Sequence, residues 1–284
     1  MKISICGING LIGDKLAKSF YDRGYEVIPV LRGDLSKGSS HIASLIDGSI
    51  AVINIAGAPV FKRWSQKWKS EIYNSRILTT KVLVDAVNSL SSPPKKFISV
   101  SATGIYDHIN VHDEFSTFFD SGFLAYVCRD WESAALEIDS SKAELTIFRL
   151  GVVLSNRGGA FKKLLPVFKY GVGGPVGSGK QYFPWIHIDD VVNAFIGAVE
   201  LNRPTGVYNL VAPEIVTNGQ FSRVLGRVLS RPAILPLPAF LLKTIYGEAA
   251  SMLLLGQQVI PQRLLADGFD FKYPRLEEGL KSLI

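Results

Sequence analysis

Three glycines near the N-terminus constrain the fold of this chain more than any other feature of its sequence. Gly7, Gly10 and Gly13 follow an apolar run, Lys2 to Cys6, that is typical of a β-strand. An amphipathic helix pattern begins at Ile12. A strand, a glycine turn and a helix start, in this order, are typical of a dinucleotide-binding domain, because the backbone must approach the pyrophosphate closely.

The spacing is G-x-x-G-x-x-G rather than G-x-G-x-x-G, and glycines also serve ordinary tight turns. The position between a strand and a helix favours nucleotide binding, since a helix N-terminus offers free N–H groups and the positive end of its dipole. We therefore predict that the cofactor contacts in this turn are Gly7, Asn9, Gly10, Leu11, Ile12 and Gly13.

Length and composition limit the class of protein. The chain has 284 residues, 47% of them hydrophobic, which suffices for one large domain or for a domain with a smaller lobe. The net charge of +6 without a long basic run argues weakly for an anionic ligand and against nucleic acid. Cys6 and Cys128 lie far apart, so we expect no metal site and a reducing, cytoplasmic location. A strand pattern at the very start predicts no targeting peptide.

Strand and helix patterns alternate in the first half of the chain. This alternation implies a parallel sheet with helices on both faces. We predict an α/β fold: a Rossmann-type, doubly wound, mostly parallel sheet over residues 1–230, with substrate-binding insertions from about 151, and a small, largely helical C-terminal domain over 231–284. The strand patterns lie near 2–6, 26–31, 50–55, 96–101 and 144–149, followed late by 206–211, and the helical patterns near 12–23, 66–90, 123–138, 160–170 and 217–230.

Two later segments have a distinct composition. The glycine-rich stretch 171–179 lacks both a preceding strand and a following Gly-Lys-Ser/Thr, which indicates a surface loop that walls a pocket. Asp189 or Asp190 could cap the helix that begins there. The most apolar stretch, 233–255, contains prolines and charged residues, so it predicts a buried or groove-lining helical region and no membrane span.

The end of the second strand indicates which cofactor is bound. NAD enzymes usually place an acidic residue there to bind the ribose 2′-hydroxyl, but this chain has Leu31 and Arg32. A guanidinium suits a 2′-phosphate, so we predict NADP as the cofactor, with contacts from both residues. A solvated arginine is the alternative, and Asp34 nearby leaves room for NAD. At the end of the third strand, the small side chains around Ile55, Ala56 and Gly57 predict a close approach to the nucleotide.

Further motifs resemble the extended short-chain dehydrogenase/reductase superfamily, and within it the atypical "epimerase family" of NAD(P)-binding proteins with a short C-terminal domain. Its members are described as sugar-nucleotide epimerase-like or cell-division-inhibitor-like. The resemblance covers nearly the whole chain and implies that Glu71 and Arg76 also contact the cofactor. The motifs are Ser101-Ala102-Thr103-Gly104-Ile105-Tyr106, Trp185-Ile186-His187-Ile188-Asp189-Asp190-Val191, Arg63-Trp64, Ser75-Arg76-Ile77, Phe123-Leu124-Ala125, Gly173-Gly174-Pro175, Phe183-Pro184-Trp185 and the tail Gly256-Gln257-Gln258-Val259-Ile260-Pro261-Gln262-Arg263.

The chain departs from the superfamily at its proton donor. The superfamily uses a tyrosine whose pKa is lowered by a lysine four residues later, and none of the ten tyrosines here has lysine at that distance. If Glu132 matches the glutamate after that lysine, Leu124 and Cys128 take the tyrosine and lysine positions. If Thr79-Thr80 match the related Gly-Thr, Arg76 takes the usual asparagine position. The usual serine position falls on Ser101 or Ala102, depending on the register.

Other side chains could replace the missing pair. Ser101 and Thr103 are the candidate catalytic residues, because they end a central strand at the cofactor edge. Structural roles explain Tyr126 (core or interface), Cys128 (a small buried hydrophobe) and His187 (a hydrogen-bonded anchor before a helix) more simply.

Two functions follow from these observations. The first is an NADP-dependent oxidoreductase or epimerase acting on a small carbonyl or sugar-nucleotide-like substrate. The second is a non-catalytic NADP-binding regulator or scaffold, linked to cell division. The expected partners are a small-molecule substrate and a second copy of the chain, without nucleic acid and without a membrane span.

Overall fold

The computed structural model describes residues 1–200 and 205–284. Short strands occur among the long ones that build the main sheet. The strands in the described residues are β1 (Lys2–Cys6), β2 (Glu26–Val30), β3 (Ser49–Asn54), β4 (Lys96–Ala102), β5 (Val111–His112), β6 (Glu144–Leu150), β7 (Val152–Leu154), β8 (Trp185–His187), β9 (Gly206–Leu210) and β10 (Gln258–Val259).

The helices separate the long strands and fill the C-terminal part. They are α1 (Leu11–Tyr21), α2 (Arg32–Leu35), α3 (Ser39–Ile46), α4 (Gln66–Ser89), α5 (Phe123–Leu136), α6 (Gly159–Lys169), α7 (Ile188–Glu200), α8 (Asn218–Val228), α9 (Ala239–Tyr246), α10 (Ser251–Leu254), α11 (Gln262–Ala266) and α12 (Leu276–Lys281), with 3₁₀ turns at Thr103–Ile105 and Gly247–Ala250.

The six long strands form one sheet in the order β2-β1-β3-β4-β6-β9, and every neighbouring pair is parallel. Two small parallel pairs, β5 with β10 and β7 with β8, lie outside it. The predicted α/β fold with a mostly parallel, doubly wound sheet and a largely helical C-terminal part is therefore confirmed.

Hydrophobic layers cover both faces of the sheet, because successive strand residues point to opposite sides. Ile98 of β4 joins the core that contains Phe20 of α1 and Phe195 of α7. Its neighbour Phe97 joins the opposite core, which contains Ile46 of α3 and Val87 of α4. Burial on both faces explains the continuous apolar runs in the strand sequences.

The strand order fixes where a ligand can bind. The chain runs from β1 to β2 on one side and then returns to β3 on the other side of β1. Connections that leave a sheet in opposite directions open a crevice at the carboxyl ends of the strands, which is the usual ligand position in such folds. The loops after β1, β2, β3 and β4 all lie at this edge.

The C-terminal part is held to the sheet domain by backbone contacts. β10 pairs with β5, and the buried Asp190 carboxylate accepts N–H bonds from Lys272 (2.7 Å) and Tyr273 (3.1 Å). The expectation that Asp189 or Asp190 caps α7 is wrong. The ring Nδ1 of His187 accepts the Asp189 N–H at 3.1 Å instead.

The stretch 233–255 differs in part from its expected burial. Leu242 and Ala250 are buried, and Ala239 and Leu254 line a cavity of about 700 Å³. Many of its other apolar side chains are exposed, so the stretch lines a groove, as one of the two predicted alternatives had it, but is not buried as a whole. The 171–179 loop does wall that cavity, through Gly177. No helix in residues 1–200 and 205–284 is both long and apolar enough to cross a membrane.

Candidate functional site

The glycine turn after β1 leaves no room for a Cβ at Gly7 or Gly13. Gly7 has φ +94°, a left-handed conformation, and a Cβ there would lie 2.8 Å from the backbone of Ile55 and Ala56. A Cβ on Gly13 would lie 2.3 Å from the carbonyl oxygen of Gly7. The first turn of α1 therefore packs directly on the strand end, as a phosphate-binding turn requires.

The N-terminus of α1 is open to an anion. Gly10 is the N-cap residue, and no side chain caps the helix. The N–H groups of Leu11, Ile12 and Gly13 belong to the first turn, which has no carbonyl partners within the helix. Together with the helix dipole, these donors suit a phosphate.

Leu31 and Arg32 lie side by side at the end of β2 and both are exposed. The Arg32 guanidinium is 81% exposed and lies 2.8 Å from the Glu71 carboxylate on α4. Glu71 therefore orients Arg32. The Asp34 carboxylate accepts the Leu31 N–H and contacts His41, and these bonds lower the Asp34 pKa. The Asp34 carboxylate is thus already occupied by hydrogen bonds within the segment that follows β2.

Arg76 lies under the end of β3. It donates hydrogen bonds to the carbonyl oxygens of Ile72 (3.0 Å) and Ala58 (3.1 Å), and its guanidinium is 5.1 Å from the Trp131 ring centre. A Cβ on Gly57 would lie 2.9 Å from this guanidinium. Burial lowers the Arg76 pKa, and no carboxylate pairs with it within the described residues. The loop formed by Ile55, Ala56 and Gly57 therefore covers a cation that can still attract an anion.

The end of β4 presents two hydroxyl residues. Ser101 is buried, and its Oγ has no hydrogen-bond partner in the part of the chain that is described. Thr103 is buried in the 3₁₀ turn that follows. The hydroxyl of the nearby Tyr106 is already occupied, since it contacts Arg149 (2.7 Å) and Asn209 (2.8 Å). The Ser101 Oγ is thus a buried hydroxyl at this strand end that remains open to another group, with the Cys128 thiol close enough to feel it.

Leu124 and Cys128 lie one turn apart on α5, and both face the end of β4. The Leu124 Cβ is 4.0 Å from the position of a Cβ on Gly104. Burial raises the pKa of the Cys128 thiol to about 11, outweighing the opposite effects of Ser101 and Arg76. The thiol therefore stays protonated at neutral pH, and neither residue can reproduce a lysine-activated phenol.

Three other candidates, Cys128, His187 and Tyr126, were predicted to have structural roles. Cys128 is buried, as predicted. His187 is confirmed as an anchor, since its ring nitrogens contact the Asp189 N–H and the Ser282 hydroxyl, each at 3.1 Å. A core position for Tyr126 is wrong, because it is exposed and stacks on Tyr73, and the alternative of an interface position stays a prediction.

A buried ion pair beside the site was missed. Arg149 on β6 makes two hydrogen bonds to the Glu132 carboxylate, at 2.8 and 2.7 Å. A charged residue inside the apolar strand 144–150 was the available signal, because charges are rarely buried unless paired. The pair fixes α5 against β6, and with it the position of Cys128.

The candidate residues form a row along one edge of the sheet. Going from β2 to β4, the edge presents Arg32, the glycine turn, the 55–57 loop and finally Ser101 with Thr103. A cationic end, a phosphate-shaped turn and an unpaired hydroxyl thus follow one another, as an extended dinucleotide with a substrate at its end would need.

Comparisons with known proteins agree with this arrangement. Residues 3–210 match the model of the NAD dependent epimerase/dehydratase family, and residues 237–283 match a domain of unknown function, DUF1731. The chain is 36% identical to the human epimerase family protein SDR39U1, with full coverage of both. It is 37% identical to a chloroplastic homologue from Arabidopsis thaliana, covering 100% of this chain and 87% of that protein. The division at residue 230 stays a prediction.

Solved structures of epimerase-family proteins are also similar to this chain. The crystal structure of human SDR39U1 (isoform 2) with NADPH superposes with a TM-score of 0.92 at 33% identity, covering 100% of this chain and 99% of that one. A UDP-glucuronic acid 4-epimerase from Bacillus cereus has a TM-score of 0.80 at 17% identity, covering 100% and 98%, and shows the fold alone. By its sequence matches along the whole length and by this fold, the chain belongs to the NAD dependent epimerase/dehydratase family.

Proposed function

We propose that the chain binds NADPH along the carboxyl edge of its sheet and uses it to reduce a small carbonyl or sugar-nucleotide-like substrate. The observation that carries the proposal is the continuity along one sheet edge between the glycine turn, with its uncapped helix N-terminus, and the Ser101 hydroxyl. The human relative crystallised with NADPH is similar over the whole chain, which supports the choice of cofactor.

The residues at this edge fit the cofactor. The turn from Gly7 to Gly13, which has no room for a Cβ at either of these two glycines, would hold the pyrophosphate with backbone N–H groups. Arg32 would hold the 2′-phosphate with a charge-assisted hydrogen bond. The 55–57 loop would take the adenosine side, with Leu31 and Glu71 beside it. The part-buried Arg76 would add positive charge near the phosphates.

When bound, NADPH would supply the hydride. The chain then has to stabilise the negative charge that develops on the substrate oxygen. The Ser101 hydroxyl can donate a hydrogen bond to that oxygen, and Thr103 lies two residues further along the same edge. The positive charge of Arg76 would also stabilise the negative charge on that oxygen. Without a lysine-activated phenol, proton delivery is weak, so we expect turnover about 10²–10⁴-fold below that of an enzyme with a positioned general acid.

A second function is favoured by one specific observation. Leu124 and the neutral thiol of Cys128 occupy the face of α5 that looks toward the end of β4. A protein that binds NADPH without turning it over needs no proton donor there. The second proposal is therefore an NADPH-binding regulator or scaffold that presents a cofactor-dependent surface.

The test has two stages. Titration calorimetry with NADPH and NADH first establishes binding, and NADPH oxidation is then measured against a panel of aldehydes, ketones and nucleotide sugars. Ser101→Ala is compared with Ser99→Ala, a matched control, because Ser99 is a buried, unpartnered serine one step earlier on the same strand face. We expect Ser101→Ala to lower kcat about 10²–10³-fold and Ser99→Ala to change it little.

Each outcome distinguishes the proposals. Tight NADPH binding with no turnover of any substrate supports the regulator. Fast, broad reduction that survives both Ser101→Ala and Thr103→Ala contradicts the role given to this edge.

A cytoplasmic location and a homodimer complete the proposal. The two buried cysteines, Cys6 and Cys128, suit a reducing compartment.

A further inference from the structure

Basic residues are strongly segregated in this sequence. Residues 157–180 contain Arg157, Lys162, Lys163, Lys169 and Lys180 and no acidic residue. Residues 231–247 contain Arg231 and Lys243 and again no acidic residue. Because the whole chain carries a net charge of +6, these two segments account for its excess and the remainder is close to neutral.

The structure packs these two segments against each other. The Arg231 Nε donates to the Lys169 carbonyl oxygen at 3.1 Å. Further along, the N–H groups of Leu235 and Leu237 donate to the carbonyl oxygens of Gly173 (3.3 Å) and Pro175 (2.8 Å). Residues 162–180 and 231–245 thus form one continuous surface, which we name the basic-apolar face.

This face exposes large apolar side chains. Tyr170 is 84% exposed, Ile234 77% and Phe240 72%. Val167, Val172 and Leu235, in the same two segments, are also exposed. Soluble monomers seldom leave such side chains grouped together, and a grouped apolar surface marks a contact site.

The cations of the face are free to meet an external anion. Within the described residues, Lys162, Lys163, Lys169, Lys180 and Lys243 form no ion pair with a carboxylate, and all five are exposed. Other lysines of the chain are paired, for example Lys69 with Glu248. The charge on this face is therefore uncompensated.

We propose that the basic-apolar face docks on the surface of an anionic phospholipid bilayer. Exposed aromatic and aliphatic side chains partition into the boundary between headgroups and acyl chains, and unpaired lysines attract the anionic headgroups. Phe240, on the exposed side of α9, and Ile234 enter this boundary, while Lys169 and Lys243 stay at the headgroups. The contact is peripheral and needs no membrane-spanning helix.

Two other occupants fit the face less well. A second copy docked face to face would bring two acid-free, basic surfaces together, and like charges in contact are unfavourable. A nucleic acid would satisfy the lysines, but its phosphate backbone gains nothing from Ile234, Leu235 and Val167. A bilayer with anionic lipids satisfies both kinds of side chain.

The test is co-sedimentation of the full chain with vesicles of phosphatidylcholine alone or with added phosphatidylserine. We expect binding to the phosphatidylserine vesicles, much weaker binding to the neutral ones, and a loss of binding at high salt. Phe240→Ser should weaken binding about tenfold to a hundredfold, the equivalent of one buried phenylalanine side chain. Lys169→Ala and Lys243→Ala should each weaken it about fivefold.

Matched controls separate the face from general surface effects. Phe118→Ser removes a phenylalanine elsewhere that is 62% exposed, and Lys18→Ala removes an exposed lysine on α1. Both should bind vesicles as the parent does. Thermal unfolding of every variant confirms that it folds.

Three results would overturn the proposal. The first is equal binding to neutral and anionic vesicles, or no binding to either. The second is a dimer in sedimentation experiments that Phe240→Ser dissociates, without vesicle binding, which would assign the face to self-association. The third is binding to oligonucleotides that Lys169→Ala and Lys243→Ala abolish, again without vesicle binding.

Discussion

Arg32 stands at the end of β2 with its guanidinium almost fully exposed and held on one side by Glu71. Because the exposed pair is worth little by itself, the guanidinium can turn to a stronger anion at small cost. A 2′-phosphate is such an anion, since it carries charge and several acceptor oxygens. We therefore expect the choice between NADPH and NADH to depend on this side chain.

Replacing Arg32 with alanine should weaken NADPH binding by about 1.5–3 kcal/mol and leave NADH binding nearly unchanged. Titration calorimetry of both cofactors measures this difference. Arg23→Ala serves as the control, because Arg23 is also an exposed cation paired with a glutamate, Glu200, at 3.7 Å. If the preference for NADPH persists in Arg32→Ala, another residue determines it.

For single residues, the sequence predicted where a side chain lies in the fold better than it predicted which other side chain it contacts. Gly7, Gly13 and Arg32 could be placed because their position relative to a strand end follows from the local pattern. The contact between Arg32 and Glu71 could not, since 39 residues separate the two and the direction of α4 decides it. The unpaired hydroxyl of Ser101 could not be foreseen either, because hydrogen-bond partners depend on the packing of α5 on β4.

His187 is the residue that links strand β8 to helix α7. It stands immediately before the helix, and its Nδ1 accepts the Asp189 N–H, the role that asparagine or serine usually takes at a helix start. Burial lowers the His187 pKa to about 4, with Asp189 opposing and Lys15 and Lys272 reinforcing the shift. The neutral ring is therefore the form that supports the fold.

The sign of the pH dependence follows from this shift. In the unfolded chain histidine titrates near pH 6.5, so the unfolded state binds the extra proton between about pH 6.5 and 4. The stabilisation is complete above pH 6.5 and is lost as the pH falls toward 4. His187→Asn keeps a capping acceptor but cannot titrate. Between pH 7 and 4 the parent should lose about 3 kcal/mol more stability than this variant.

Urea unfolding of both proteins across this pH range measures the difference. Ser282→Ala provides a control, because it removes the partner of the other ring nitrogen without removing the titrating group. A constant difference between parent and His187→Asn from pH 7 to pH 4 would show that the ring does not titrate in this window.

The long elements were predictable and the short ones were not. Strand β1 and helix α4 were placed within one residue of their ends, because the apolar period along each is sustained. The two-residue strands β5 and β10 carry no period of their own and exist through their mutual pairing. The exposure of α9 escaped prediction for a related reason, since composition shows apolarity but not what covers it.

At the scale of the whole molecule, a buried polar network ties the sheet to the C-terminal part. Arg149 on β6 binds Glu132 and the Tyr106 hydroxyl, and that hydroxyl also contacts Asn209 on β9. The Asn209 side chain donates in turn to the Ile260 carbonyl oxygen at 3.1 Å. Five separate stretches of sequence meet here, so no local pattern could reveal the network.

The ion pair between Glu132 and Arg149 lies at the centre of this network. Breaking it should destabilise the protein chiefly because one buried charge is left without a partner. Glu132→Leu strands the buried Arg149 charge and should lower the free energy of unfolding by about 3–5 kcal/mol. Adding Arg149→Met removes the stranded charge and should restore most of that loss, because a buried ion pair contributes little more than apolar packing of similar volume.

Urea unfolding of the parent, both single variants and the double variant closes a double-mutant cycle. NADPH titration of the double variant shows at the same time whether the cofactor edge survives. A double variant no more stable than Glu132→Leu alone would mean that the specific hydrogen bonds of Arg149, including the one to Tyr106, hold the C-terminal part in place. If the double variant recovers the stability of the parent, the network contributes mainly through packing. The parallel sheet itself would then hold the cofactor edge in place.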